Sequence, residues 1–220
     1  MNHVLATHRR SIRLKDWDYS RAGMYFVTIC TQDRSCLFGD MVDGGMRLND
    51  VARMIEKWWL KLNHKFPTVQ TDQFVVMPNH IHGIITIVGA DLRVCPPVLR
   101  VCPDDDQCNT GKHIGVPQQT HETGAHTDEG THVGVPLPRV VQWFKTMTTN
   151  EYIRGVKQFG WPRFDGRLWQ RNYYEHIIRD DDELNLVREY IVNNPLQWEL
   201  DRENPDMKSE GLVPEVSWLA

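Results

Sequence analysis

The run Val75-Val76-Met77-Pro78-Asn79-His80-Ile81-His82-Gly83-Ile84-Ile85-Thr86-Ile87 decides how the rest of the chain is read. Its β-branched residues predict a buried strand, broken near Pro78-Asn79 so that the segment before it is a separate strand or a lead-in. Side chains two apart on a strand share a face. His80 and His82 therefore look the same way while Ile81 turns into the core. Ten histidines in 220 residues give roughly 0.4 such pairs by chance, so the spacing alone is a weak signal. A buried strand, however, rarely carries two imidazoles on one face unless they have partners. Two readings stand at this point: hydrogen-bonded structural histidines, or a metal site of neutral imidazoles suited to Mn²⁺ or Mg²⁺.

Working outward, Tyr25-Phe26-Val27-Thr28-Ile29-Cys30-Thr31 predicts a first strand. Cys36–Gly39 and Met46–Leu48 flank the turn signal Asp43-Gly44-Gly45. Asn49 or Asp50 caps a helix whose residues Val51, Met54, Ile55, Trp58, Trp59, Leu62 and Phe66 recur at helical spacing until Pro67. A second helix runs from Pro138 to about Arg154, and Leu168–Ile178 predicts a strand. Asp180, Asp181, Asp182 and Glu183 suit the first turn of a last helix, which ends near Asn194 before Pro195. This order predicts an α+β domain with an antiparallel sheet and helices on one face.

Residues 89–137 differ in kind. Leu92-Arg93-Val94-Cys95-Pro96 recurs as Leu99-Arg100-Val101-Cys102-Pro103, and His113-Ile114-Gly115-Val116-Pro117 recurs as His132-Val133-Gly134-Val135-Pro136. The segment reads as a repeat-born insertion loop in a single domain made of 1–88 and 138–200. Residues 201–220 read as an acidic tail. Cys95, Cys102, Cys108 and His113 do not make a zinc site, because no CxxC pair is among them.

The net charge of −4 looks wrong for a nucleic-acid binder until it is divided along the chain. Residues 89–138 hold three basic and seven acidic side chains, and 199–220 hold two and six; the remainder holds 20 basic and 16 acidic. Phosphate attraction depends on local basic surface, and Arg9, Arg10, Arg13 and Lys15 supply such a cluster. An apolar signal region is missing from Met1–His8, and no run approaches the roughly 18 apolar residues of a membrane span. With five cysteines, the expectation is reduced thiols in a cytoplasmic protein.

Tyr190 and Asn194 lie four apart on one helical face, on the shoulder of the Leu184/Val187/Ile191 stripe. Alone they read equally as a half-buried tyrosine and a helix-ending asparagine. Together with the histidines they read as a nucleophile and a further ligand. Tyr173 and Tyr174, on the predicted strand, are rival nucleophiles.

Three motifs in order, Met77-Pro78-Asn79-His80-Ile81-His82, Leu168-Trp169-Gln170-Arg171 to Glu175-His176, and Tyr190-Ile191-Val192-Asn193-Asn194-Pro195, resemble the single-tyrosine HUH transposases. Among these the chain is most similar to the REP-associated tyrosine transposases, over roughly 9–88 and 138–200. The resemblance implies a ferredoxin-like (RRM-like) sheet with the histidines on a central strand. It implies cleavage of single-stranded DNA near a hairpin through a 5′-phosphotyrosine at Tyr190. It further implies Mg²⁺ or Mn²⁺ on His80, His82 and Asn194, DNA contacts from the basic cluster and Arg171, and either a monomer or a homodimer. Gln is common at the Asn194 position in the insertion-sequence branch. His176 is a candidate to support the metal from outside its ligand set, or a structural histidine. A non-cleaving hairpin DNA- or RNA-binding protein is the alternative function, and a small phosphate-ester hydrolase is a third.

Overall fold

The computed structural model describes residues 17–88 and 134–207. Arg9, Arg10, Arg13 and Lys15, residues 89–133 of the insertion and the tail from 208 onward lie outside the described residues.

Eight residues, Gly23–Cys30, form β1, and a small hairpin of β2 (Gly39–Val42) and β3 (Gly45–Leu48) follows. Asn49 then caps α1 (Asp50–Leu60), its side chain accepting from the Ala52 amide at 3.0 Å. A single-turn helix, α2 (Leu62–Lys65), carries the same apolar face on past a break at Lys61. The strands β4 (Val69–Val76) and β5 (His80–Ile87) come next, then α3 (Leu137–Phe159), β6 (Tyr174–Ile178) and α4 (Asp181–Asn193). The sheet order is β4-β5-β1-β6, antiparallel throughout. With the hairpin set aside this is the βαββαβ order of the ferredoxin-like fold, and the histidines sit on β5, one of its two central strands.

Alternation along β1 divides the interior in two. Tyr25, Val27 and Ile29 face α1 and α3, joining Ile55, Trp59, Ile81, Ile85, Val141 and Phe144 in the main core. Phe26 faces the other way, with Ile84, Ile178, Leu184, Val187 and Ile191, beneath α4. The expectation of helices on one face is therefore corrected: α4 covers the opposite face from α1 and α3. Strict alternation on β1 and β5 supplies an apolar residue to each side, which calls for cover on both.

Two boundaries also differ from the sequence reading. The helix α3 runs past Arg154 and Gly155, ending at Gly160 in the left-handed conformation with φ 69°. Glycine inside it is needed because the Trp161 ring lies where a Cβ would stand, 2.2 Å from its position. Leu168–Ile178 is a strand only from Tyr174. Trp169 makes one bridge to Thr31, and the next three carbonyls turn to the Lys145 ammonium on α3, at 2.9 Å for Gln170, 3.5 Å for Arg171 and 3.1 Å for Asn172. Backbone acceptors committed to a lysine are not available to a strand partner.

The frame closes around the insertion. Val88 donates its amide to Thr68 at 2.9 Å, Gly134 donates to Ser20 at 3.1 Å, and a Cβ on Gly134 would lie 3.7 Å from the Val88 carbonyl oxygen. The two ends of the segment stand side by side. Among the described residues no helix is long and apolar enough to cross a membrane.

Candidate functional site

Register sets the site. Thr28 pairs with His82 and Cys30 with His80, so both imidazoles project from the centre of the sheet toward α4. They are buried, and their Nε2 atoms face each other at 2.9 Å. Asn79 determines what His80 offers. Its Nδ2 donates to the carbonyls of Arg34 at 3.0 Å and Glu203 at 2.6 Å, so its Oδ1 is the atom left to accept from His80 Nδ1 at 2.8 Å. The proton of neutral His80 is thus on Nδ1, and Nε2 presents a lone pair. His82 is less constrained, because its Nδ1 meets the Thr28 hydroxyl at 2.8 Å and a hydroxyl can donate or accept. At 2.9 Å His82 Nε2 can donate its proton to His80; with the proton moved to Nδ1 and Thr28 accepting, both Nε2 atoms become acceptors for a cation.

Burial lowers the His80 pKa to about 4 and holds that of His82 well below its ordinary value, where the neighbouring His80 depresses it further. Neutral imidazole is the ligand form of histidine.

Two oxygens are buried without a hydrogen-bond partner, Asp201 Oδ2 beside these nitrogens and Asn194 Oδ1 on the residue whose side chain bonds the Tyr190 phenol. Asp201 Oδ2 lies 3.6 Å from His80 Nε2, and a ligand atom from each of His80, His82 and Asp201 falls within 4.8 Å of the other two. Among the described residues this is the group of three or more His, Cys, Asp or Glu side chains so disposed. A mixed nitrogen and oxygen set with orphaned acceptors fits a hard or borderline divalent ion such as Mn²⁺ or Mg²⁺. Asp201 reaches the site because a 3-10 helix, Asn194–Leu200, turns the chain back after α4, with Trp198 stacked on the His80 ring at 6.1 Å. Asp201 accepts from the Glu203 amide at 2.7 Å, and Glu203 pairs with Arg34 at 3.1 Å.

Tyr190 arrives from α4. Its ring is edge-on to His82, centroids 5.4 Å apart, and edge-on to Phe26 at 5.8 Å. Burial, then the Asp201 carboxylate, push its pKa up to about 12, while Arg202 and a hydrogen bond from the Asn194 side chain work in the other direction. Its helix is tied down at its start and at its middle. Asp180 caps α4 by accepting from Glu183 at 2.8 Å, and Arg188 reaches Asp72 on β4, with Nε at 3.0 Å and Nη2 at 2.5 Å.

The rival tyrosines separate. Tyr173 packs into the main core with the Lys145 ammonium 5.4 Å from its ring, and Tyr174 lies on the face of the histidines against Phe26 at 6.3 Å.

The sequence compares with known proteins over nearly its full length. An uncharacterised protein of Haemophilus influenzae is 35% identical over 198 residues, 89% of this chain and 92% of the relative. A second protein of the same organism, assigned as a REP-associated tyrosine transposase, is 23% identical over 210 residues, 90% of this chain and 89% of the relative. The chain is similar to a REP-associated tyrosine transposase along nine-tenths of its length. No family model matches it. Among solved structures, a REP-associated tyrosine transposase bound to a REP hairpin covers 95% of this chain and 96% of its own at 16% identity and a TM-score of 0.47. A crystal structure from Deinococcus radiodurans assigned as a transposase covers 83% of this chain and 97% of its own at 13% identity and a TM-score of 0.38.

The remaining expected residues fall into two places. His176 bonds Glu183 at 2.7 Å, which joins β6 to the first turn of α4. Arg171 is exposed on a groove of about 750 Å³ between α3 and the loop before β6, where Gln142, Asn150, Arg167 and Gln170 also project. Reading the sequence missed Asp201, Asn79 and Thr28. Asp201 carried no signal beyond an acidic tail. Asn79 was visible beside the histidines, yet its role depends on carbonyls 45 and 124 residues distant in sequence.

Proposed function

We propose that this transposase relative cuts and rejoins single-stranded DNA at hairpin-bearing sites through a covalent phosphotyrosine at Tyr190. The observation that carries this reading is the seating of Tyr190 against His82, with Asn194 bonded to the same phenol. His80, His82 and Asp201 would hold Mg²⁺ or Mn²⁺, with Asn194 Oδ1 as a further oxygen ligand. A divalent ion there would polarise the scissile phosphate and offset charge on its oxygens. Tyr190 gives up its phenolic proton to solvent, and the phenolate oxygen forms a bond to phosphorus as the bond from phosphorus to the 3′ oxygen breaks. The products are a 5′-phosphotyrosine and, once protonated, a free 3′ hydroxyl. Reversal with another 3′ end transfers the strand.

DNA would lie along the groove beside α3, where Arg167 and Arg171 meet phosphate and the amides of Gln142, Asn150 and Gln170 meet base edges. Arg9, Arg10, Arg13 and Lys15 would add phosphate contacts. His176 serves α4 through Glu183 in this reading.

The test is a denaturing gel with labelled hairpin oligonucleotides and Mn²⁺ or Mg²⁺. Wild type and Tyr174→Phe should form a DNA adduct that chelator prevents, and Tyr190→Phe should form none while its melting temperature stays close to wild type. An adduct that survives Tyr190→Phe but is lost in Tyr174→Phe would assign the chemistry to the other tyrosine. Tight binding of hairpins with no adduct from wild type would instead favour a non-cleaving binder.

A further inference from the structure

We propose that Asn79 is a positioning residue that fixes the tautomer of His80 and, through the same amide, seats the segment bearing Asp201. The inference rests on the metal reading above, and goes beyond it by assigning the assembly of the site to one side chain that never touches the ion. Asn79 is fully buried, and its three side-chain hydrogen bonds run to other parts of the site: the Arg34 carbonyl, the Glu203 carbonyl and His80 Nδ1. Two carbonyl oxygens can only accept, so the NH₂ group must face them and the oxygen must face the imidazole. The orientation is forced by the count of donors and acceptors.

Its consequences fall on both halves of the ligand set. Accepting from Nδ1–H leaves His80 Nε2 unprotonated and aimed at His82 Nε2. Holding the Glu203 carbonyl keeps the turn Asp201–Glu203 closed, and that turn is what carries the Asp201 carboxylate to within 3.6 Å of His80. Partners of metal-bound histidines typically change metal affinity by roughly tenfold to a hundredfold when removed. Thr28 makes the corresponding contact to His82, but a hydroxyl satisfies either tautomer and so does not choose.

Nitrogen-15 NMR of histidine-labelled full-length protein in chelator reads the tautomer directly. Wild-type His80 should carry its proton on Nδ1; a proton on Nε2 overturns the proposal without any variant. Asn79→Ala should shift His80 toward a mixture of tautomers and weaken Mn²⁺ binding, measured by calorimetry, by tenfold or more. Asn79→Asp should separate the two roles. Its carboxylate still accepts from Nδ1–H, but cannot donate to Arg34 and Glu203, so the tautomer should persist while amide exchange in 201–204 accelerates. Unchanged tautomer and Mn²⁺ affinity within twofold in Asn79→Ala would overturn the proposal. Failure of wild type to bind Mn²⁺ would overturn the metal reading, and the NMR result would still decide the role of Asn79.

Discussion

The ring of Tyr190 stands edge-on to the ring of His82 in the same chain, 5.4 Å between centroids with planes inclined at 64°. A site composed within one chain does not need a partner's tyrosine. Mixing Tyr190→Phe with His82→Ala should therefore restore no DNA adduct. Recovery of adduct in the mixture, in proportion to the square of protein concentration, would mean that tyrosine and histidines meet across a dimer.

Acid should weaken the fold through the buried imidazoles. A folded-state pKa of about 4 for His80, against roughly 6.5 in the unfolded chain, means that its contribution is complete above pH 6.5 and is lost as pH falls toward 4. At pH 4 the loss from His80 alone is on the order of 3 kcal/mol. Asp201 acts in the opposite sense, since burial raises its pKa and its contribution is lost as pH rises. Melting temperatures in chelator should fall from pH 6.5 to pH 4 more steeply for wild type than for His80→Gln. Parallel profiles would show that His80 is not buried in its neutral form.

Gly83 separates fold from site. A Cβ there would lie 2.4 Å from the Trp59 ring, on the face opposite the histidines. Gly83→Ala should cost about 1–3 kcal/mol by overpacking, seen as a lower melting temperature, while Mn²⁺ affinity stays near wild type. A large loss of affinity at unchanged stability would contradict the two-faced sheet.

Arg171 should act on DNA through charge. Arg171→Ala should weaken binding of hairpin oligonucleotides and reduce the slope of log affinity against log salt by about 1. An unchanged slope, measured by anisotropy across a salt series, would move the DNA path away from this groove.

How much of this was legible in the sequence depends on the range of the forces involved. Alternation and helical spacing are local, so β1, β5, α1 and α4 could be read from Val27, Ile81, Trp59 and Val187 with no knowledge of the fold. His80 and His82 share a face by strand geometry alone, and Tyr190 with Asn194 by helix geometry. What failed was set at a distance. The strand before Tyr174 is undone by Lys145, some 25 residues earlier in the chain. The side of the sheet taken by α4 was hidden because Phe26 and Val27 are equally apolar and the sequence does not say which face each helix covers. Asp201 joins the histidines only because the Asn194–Leu200 turn reverses the chain, and no periodicity marks such a reversal.

The helix that carries Tyr190 rests on a core of six buried side chains, separate from the larger cluster beneath α1 and α3. Its tie to β4 is an ion pair whose side chains are 41% and 29% exposed, worth under about 1 kcal/mol. Energetically it is a shutter on the sheet rather than a wall of the domain. In the proposed reaction, subglobal opening would lift the phenol away from the imidazoles while the rest of the domain stays folded, giving a bulky strand of DNA room to enter and, once joined to the tyrosine, to swing toward its next partner.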